Sequence, residues 1–168
     1  MPIEFLSLAR RARPIEEPRL LVLADRQGEA ILHEIDGSGA SLAEQMIGQD
    51  ADVIFQVAGG CGLGALNAAG ERDRWGIGVA ADQSSLGDHI LTSAQKGVDA
   101  AVFLSIKAVQ DGTWKGGGNV TFGLKEEGVG LGTVSPKVPQ EDVDAVAAIE
   151  EQIANGEITG IPTEVGKS

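Results

Sequence analysis

The stretch VIFQVAGGCGLGALN, residues 53–67, constrains the fold more than any other part of the chain. A strand-like run passes within a few residues into a helix-like one, and Gly59, Gly60, Gly62 and Gly64 stand at the handover. Glycine loses extra entropy on folding, so a cluster of it marks a place where the chain needs positive φ or where another group must come close. Two readings fit. The unpaired N–H groups at a helix start attract anions and polar oxygens, which would make the turn a ligand cradle; alternatively, the glycines let strand and helix pack tightly. The local sequence leaves both open.

The surrounding pattern places this turn in a larger scheme. RLLVLA, residues 19–24, has strand length, and GEAILHEI, residues 28–35, reads as a second strand paired with it. Ser41 followed by Glu44 forms a capping box opening a helix around Leu42, Met46 and Ile47, with Gly48 as its stop. Apolar runs at 52–57, 75–80, 89–93 and 119–124 predict further strands. Residues 63–71 carry helix formers. Residues 97–110 predict a helix too broadly apolar to face water, hence packed on a sheet, and 140–154 predict a last helix with a Val143, Val146, Ile149, Ile153 stripe. Strands and helices in this alternation predict an α/β fold, a three-layer α/β/α sandwich with a parallel sheet. In such folds ligands sit beyond the carboxyl ends of the strands. The glycine turn lies at one such end, and the loop holding Asp82 and Gln83 lies at the next.

Charge and cysteine usage narrow the function. With 25 acidic against 13 basic residues the net charge is −12, and no basic stripe offsets it, so no nucleic acid partner is expected. A single cysteine, Cys61, forms no internal disulfide. The two histidines, His33 and His89, lie in unrelated segments, so no metal and no cofactor is expected. Cys61 sits near a helix start, where a thiolate would be stabilised, yet beside glycines it reads as a small residue in a small space. At 168 residues the chain suits one domain, and no apolar run is long enough to span a bilayer. The opening MPIEFLSLARRARPIEEP places its arginines after a short apolar patch, the wrong order for a secretory signal.

GCGLGA, Gly60 to Ala65, matches the G-x-G-x-x-G/A dinucleotide fingerprint, with Asp82 at the distance of a ribose-binding acid. That fingerprint opens its domain, whereas here a strand and a helix precede it. A Rossmann-type nucleotide-binding module therefore stands as the alternative, together with a regulatory or interaction domain that has lost its ligand. No nucleophile, base and orienting group assemble into a catalytic set, so the chain is not expected to be an enzyme.

DADVIFQVAGGCGLGALNAA, WGIGVAADQSSLG, ILTSAQKGVDAAVFLSIKAVQDGTWKGG, FGLKEEGVGL and IEEQIANGEITGIPT, from about Asp50 to Thr163, follow one another as successive blocks that resemble the basic membrane protein family. That family comprises substrate-binding lipoproteins of ABC transporters, purine nucleoside receptors among them. The resemblance implies one lobe of a type I periplasmic binding fold, residues 37–168 corresponding to the family's second lobe and 1–36 forming a divergent segment. It implies a nucleoside ligand, a transporter permease as partner and an extracytoplasmic, membrane-associated location, although the chain as written shows no signal peptide or lipid-bearing cysteine. It further implies that Gly59 and Gly60 line the ligand cleft, that Asp82 keeps one acid of the binding motif, and that Lys96 falls on a ligand-contacting lysine. Ala80 departs from the pattern, since family members carry an aspartate there that grips the ribose. The absent first lobe leaves the last helix without its normal cover, so a homodimer or a complex with a separate first lobe is expected.

Overall fold

The computed structural model describes residues 20–23 and 38–161. Apolar, partly β-branched runs become strands where expected: Leu20–Leu23 (β1), Val53–Gln56 (β2), Trp75–Ala80 (β3) and Ile90–Lys96 (β4). These four pair in parallel in sequence order, and a short strand Val129–Leu131 (β5) adds to β4 antiparallel at the edge. Helices Ser38–Ile47 (α1) and Gly62–Glu71 (α2) make the crossovers between β1, β2 and β3. Helix Val98–Gln110 (α3) follows β4, and Gln140–Ala154 (α4) follows β5.

The core is built from small residues. Ala43 of α1 meets Ala65, Ala68 and Ala69 of α2 over Ile54 of β2, with Ala51 completing a buried cluster. Short side chains bring the two helices close to each other and to the sheet, and dense packing then makes every added atom felt. Gly39 is the extreme case: a Cβ there would run into the backbone carbonyl of Cys61. Arg72 Nη2, just past the end of α2, donates to Glu44 Oε1 on α1 at 2.8 Å.

Five expectations change. Helix α1 begins at Ser38, so Ser41 and Glu44 lie inside it rather than forming its cap; the small Gly39 and Ala40 let the helix start earlier against α2. Residues 119–124 form no strand. Gly128 N donates to Gly123 O at 2.8 Å, and the chain folds so tightly that Gly128 lies against Phe122, a turn that engages the backbone of Gly123 and Leu124. The strand comes later, as β5, and its antiparallel pairing makes the sheet mixed. Finally, α3 does not bury its apolar surface: Val98, Val102, Phe103, Ile106 and Val109 are 53% to 66% exposed, and no residue of the helix is buried. The uncovered stripe is therefore on α3, while Val143, Val146, Ile149 and Ile153 of α4, expected to be open, are half-buried. The strand expected at 28–35, and the segment 1–36 apart from β1, lie outside the described residues.

Candidate functional site

Three strands of the parallel sheet end side by side, and each delivers a different kind of group. After β2 the chain passes Val57 and Ala58 into a single 3₁₀ turn, Gly59–Cys61, which runs directly into α2. Gly59 has φ of 56°, a left-handed conformation that glycine adopts without steric cost. At both Gly59 and Gly60 the space a side chain would occupy is empty to 4 Å, so a ligand can approach the backbone there. Gly62 serves packing instead: the side chain of Gln56 fills the place where its Cβ would sit. Packing thus accounts for Gly62, while the backbone at Gly59 and Gly60 stays open.

Strand β3 ends at Ala80, whose φ of 70° is also left-handed. Alanine pays about 1–2 kcal/mol for that conformation, which Asp and Asn tolerate better. The chain then turns through Asp82. Its Oδ1 accepts from Ser84 N at 2.9 Å, and its Oδ2 accepts from Thr133 Oγ1 at 2.6 Å and Thr133 N at 3.1 Å. The Thr133 hydroxyl, followed by the backbone N–H groups of Ser84 and Thr133, holds the Asp82 carboxyl well below the usual carboxylate range. Its hydrogen bonds tie the end of β3 to the chain beyond β5, so the carboxylate already anchors a loop.

Because its pKa is lower folded than unfolded, Asp82 stabilises the fold fully above the ordinary value of 3.8 and loses that contribution as pH falls through the lowered one. Asp82→Asn removes the charge at every pH. Thermal melts of the two chains are expected to differ most at pH 6–7 and to converge in strong acid; a gap that widens on acidification contradicts this.

Strand β4 delivers Lys96, exposed at the strand's last position and paired in register with Val129. Its ammonium makes no hydrogen bond or ion pair among the described residues. The next residue, Gly97, donates its N–H to Gly128 O at 2.9 Å and passes so close beneath the Glu127 carbonyl that no side chain fits. Lys96 is thereby held where β4 gives way to α3.

A cavity of about 830 Å³ opens at this edge, lined among others by Ala80, Asp82, Gln95 and Lys96 from the strand ends, Asp99 of α3 and Glu150 of α4. The structure brings Asp82 and Lys96 into one cavity wall. Gly59 and Gly60 do not line it; they stand at the end of the neighbouring strand β2. Among the described residues no cluster of three or more His, Cys, Asp or Glu is arranged to hold a metal ion.

Two residues that the sequence pattern did not single out as site residues underlie this edge. Gln56 is 1% exposed and donates Nε2 to Gln83 Oε1 at 3.0 Å, while its own Oε1 accepts from Ala58 N at 3.1 Å. The available signal was the inward face of β2, where Ile54 is followed two residues later by an amide rather than another aliphatic residue.

Comparison with known proteins adds the following. The family model described as ABC transporter substrate-binding protein PnrA-like matches residues 36–163. An ABC transporter nucleoside-binding protein, BmpA, of Lactococcus lactis subsp. cremoris (strain MG1363) is 37% identical, with 72% of this chain and 39% of the relative covered. Basic membrane protein D of Borreliella burgdorferi (strain JD1) is 40% identical over 56% of this chain and 29% of its own length. An uncharacterized lipoprotein of Pyrococcus abyssi is 39% identical over 55% of this chain and 24% of its own. Among solved structures, a solute-binding protein of an ABC transporter system from Aeropyrum pernix K1 superposes with a TM-score of 0.61 at 27% identity, covering 75% of this chain and 45% of that one. A transcriptional activator of the comK gene from Bacillus halodurans, at 20% identity, shares the fold with a TM-score of 0.73 over 91% of this chain and 61% of its own. The chain spans about two fifths or less of the length of these curated relatives.

Proposed function

The chain belongs to the PnrA-like family of ABC transporter substrate-binding proteins, and on that premise we propose that it binds a nucleoside at the carboxyl edge of its sheet. The observation that carries this reading is Lys96, an ammonium without a partner among the described residues, lining a cavity of about 830 Å³ at the strand ends. The open backbone at Gly59 and Gly60, at the end of the neighbouring strand β2, supports the same reading. The nucleoside-binding relative from Lactococcus lactis supplies the ligand class. Function in this reading is binding and release without bond-making. A transporter permease is the partner, and the location is extracytoplasmic at the membrane. No helix among the described residues is long and apolar enough to cross a bilayer.

The available contacts set the affinity. Backbone groups at Gly59 and Gly60 and the Lys96 ammonium offer a few partly exposed hydrogen bonds, each worth about 0.5–1.5 kcal/mol. After the entropy lost on association, a dissociation constant of about 1 mM or weaker remains. A homodimer or a separate first lobe covering the opposite side of the ligand would tighten it. Titration of ¹⁵N-labelled protein with inosine is expected to move the amides of Gly59, Gly60 and Lys96 with millimolar saturation, while calorimetry at micromolar inosine detects nothing. Unmoved amides at saturating inosine, or NAD binding at micromolar concentration, would defeat the reading, the latter in favour of a Rossmann-type module.

A further inference from the structure

The geometry points to Gln56 and Gln83 as a positioning pair that sets the glycine turn after β2 and the Ala80 loop after β3 into one fixed arrangement. Burying a side-chain amide is unfavourable unless its hydrogen bonds are made. Gln56 is almost wholly buried, and its bonds run between loops rather than within one element. Ala58 N donates to Gln56 Oε1 at 3.1 Å; Gln56 Nε2 donates to Gln83 Oε1 at 3.0 Å; the same Oε1 accepts Val79 N at 2.9 Å. Gln83 N in turn donates to Ser93 Oγ at 3.0 Å, and Ser93, on β4, is fully buried. One chain of hydrogen bonds thus spans the ends of three parallel strands.

The placement of these bonds relative to the backbone is what makes the pair a positioning device. Two left-handed residues shape this edge, Gly59 and Ala80. Each follows directly on a residue whose N–H the pair captures: Ala58 precedes Gly59, and Val79 precedes Ala80. The pair therefore fixes where each strand ends and the chain turns out toward the ligand edge. Two glycines make room for it, since a Cβ at Gly62 would meet the Gln56 carboxamide and one at Gly78 would come within 2.7 Å of Gln83 Oε1. An aliphatic pair would fill this volume without specifying either turn, whereas hydrogen-bonded amides in a partly buried site fix one geometry.

The ligand consequence rests on the nucleoside reading, but the coupling itself is read without ligand. In ¹⁵N spectra of the free protein, Gln83→Leu is expected to move the amides of Ala58–Cys61, on the other loop, and to speed hydrogen exchange at Ala58 by ~10-fold, about the worth of one lost hydrogen bond. Gln83→Glu keeps an acceptor for Gln56 Nε2 and Val79 N and is expected to leave those amides in place. Ser93→Ala, which frees Gln83 N, gives a smaller displacement in the same direction and keeps the test open if Gln83→Leu does not fold. A folded Gln83→Leu or Ser93→Ala protein with Ala58–Cys61 unmoved overturns the positioning role, as does a Glu variant that behaves like Leu. Inosine titration forms the second arm: affinity falls several-fold in Gln83→Leu and recovers in Gln83→Glu. Moved amides with inosine affinity unchanged would uphold the pair and count against the nucleoside reading alone.

Discussion

Gly39→Ala is expected to destabilise the protein by about 3 kcal/mol, seen as a lower urea midpoint at unchanged slope. The new Cβ would run into the Cys61 carbonyl oxygen and lie 3.0 Å from its carbonyl carbon, with Ala65 N in ordinary contact at 3.5 Å. All three are backbone atoms, so no side chain can rotate away and the strain must move α1 against α2. Alanine favours a helix over glycine by up to about 1 kcal/mol, which reduces the loss without cancelling it. The contact lies on the turn that leaves Gly59 and Gly60, so the same variant should also shift their amides. Gly60→Ala is the matched control: its Cβ would meet nothing within 4 Å and its φ is not positive, so its effect should stay within about 0.5 kcal/mol. Equal stability of the two variants would mean that α1 and α2 do not cross as closely as described.

Ala80→Asp should strengthen inosine binding by about tenfold, from the millimolar range into tenths of a millimolar, without unfolding the chain. Two causes act at this position. The left-handed φ of 70° is strained for alanine and easier for aspartate. The new carboxylate would also lie on the cavity wall beside Lys96, where it supplies a charge-assisted hydrogen bond worth about 1.5–3 kcal/mol before discounting for exposure. Opposing this, the wall already carries Asp82, Asp99, Glu127, Glu150 and Glu151. In an open, solvated cavity such repulsion costs about 1 kcal/mol or less, so the gain should win. Ala80→Gly separates the causes, since it relieves the backbone and raises stability by about 1 kcal/mol but adds no ligand contact. Identical inosine titrations for the Asp and Gly variants would remove the carboxylate from the account.

Much of the fold was legible because the signals are local. The runs at 53–56 and 75–80 carry the apolar and β-branched residues that a buried parallel strand needs, and the spacing at 98–110 and 140–154 is helical. The place of the candidate site was legible for the same reason, since the order of strand, glycine turn and helix implies where the carboxyl edge lies. Local pattern failed where neighbouring segments of similar composition could each take the edge position. NVTFGL has strand composition, yet only its last two residues are used, by the turn closed by Gly128 N on Gly123 O, and the edge position falls to Val129–Leu131. The periodicity of α3 was read correctly as a helix, but periodicity does not say whether another element covers its apolar face, and none of its residues is buried.

By itself, then, the sequence determined most of the elements, their alternation and the edge at which Gly59, Gly60, Asp82 and Lys96 emerge, because side-chain pattern and glycine placement act over a few residues. Only the tertiary structure decided what each of those residues is free to do. Asp82 is engaged by Thr133, 51 positions away, and Gln56 by Gln83, 27 positions away, while Lys96 is left unpaired among the described residues. Hydrogen-bond partners of that kind are chosen by which strand ends come together in the sheet, and a linear pattern carries no distance across a sheet.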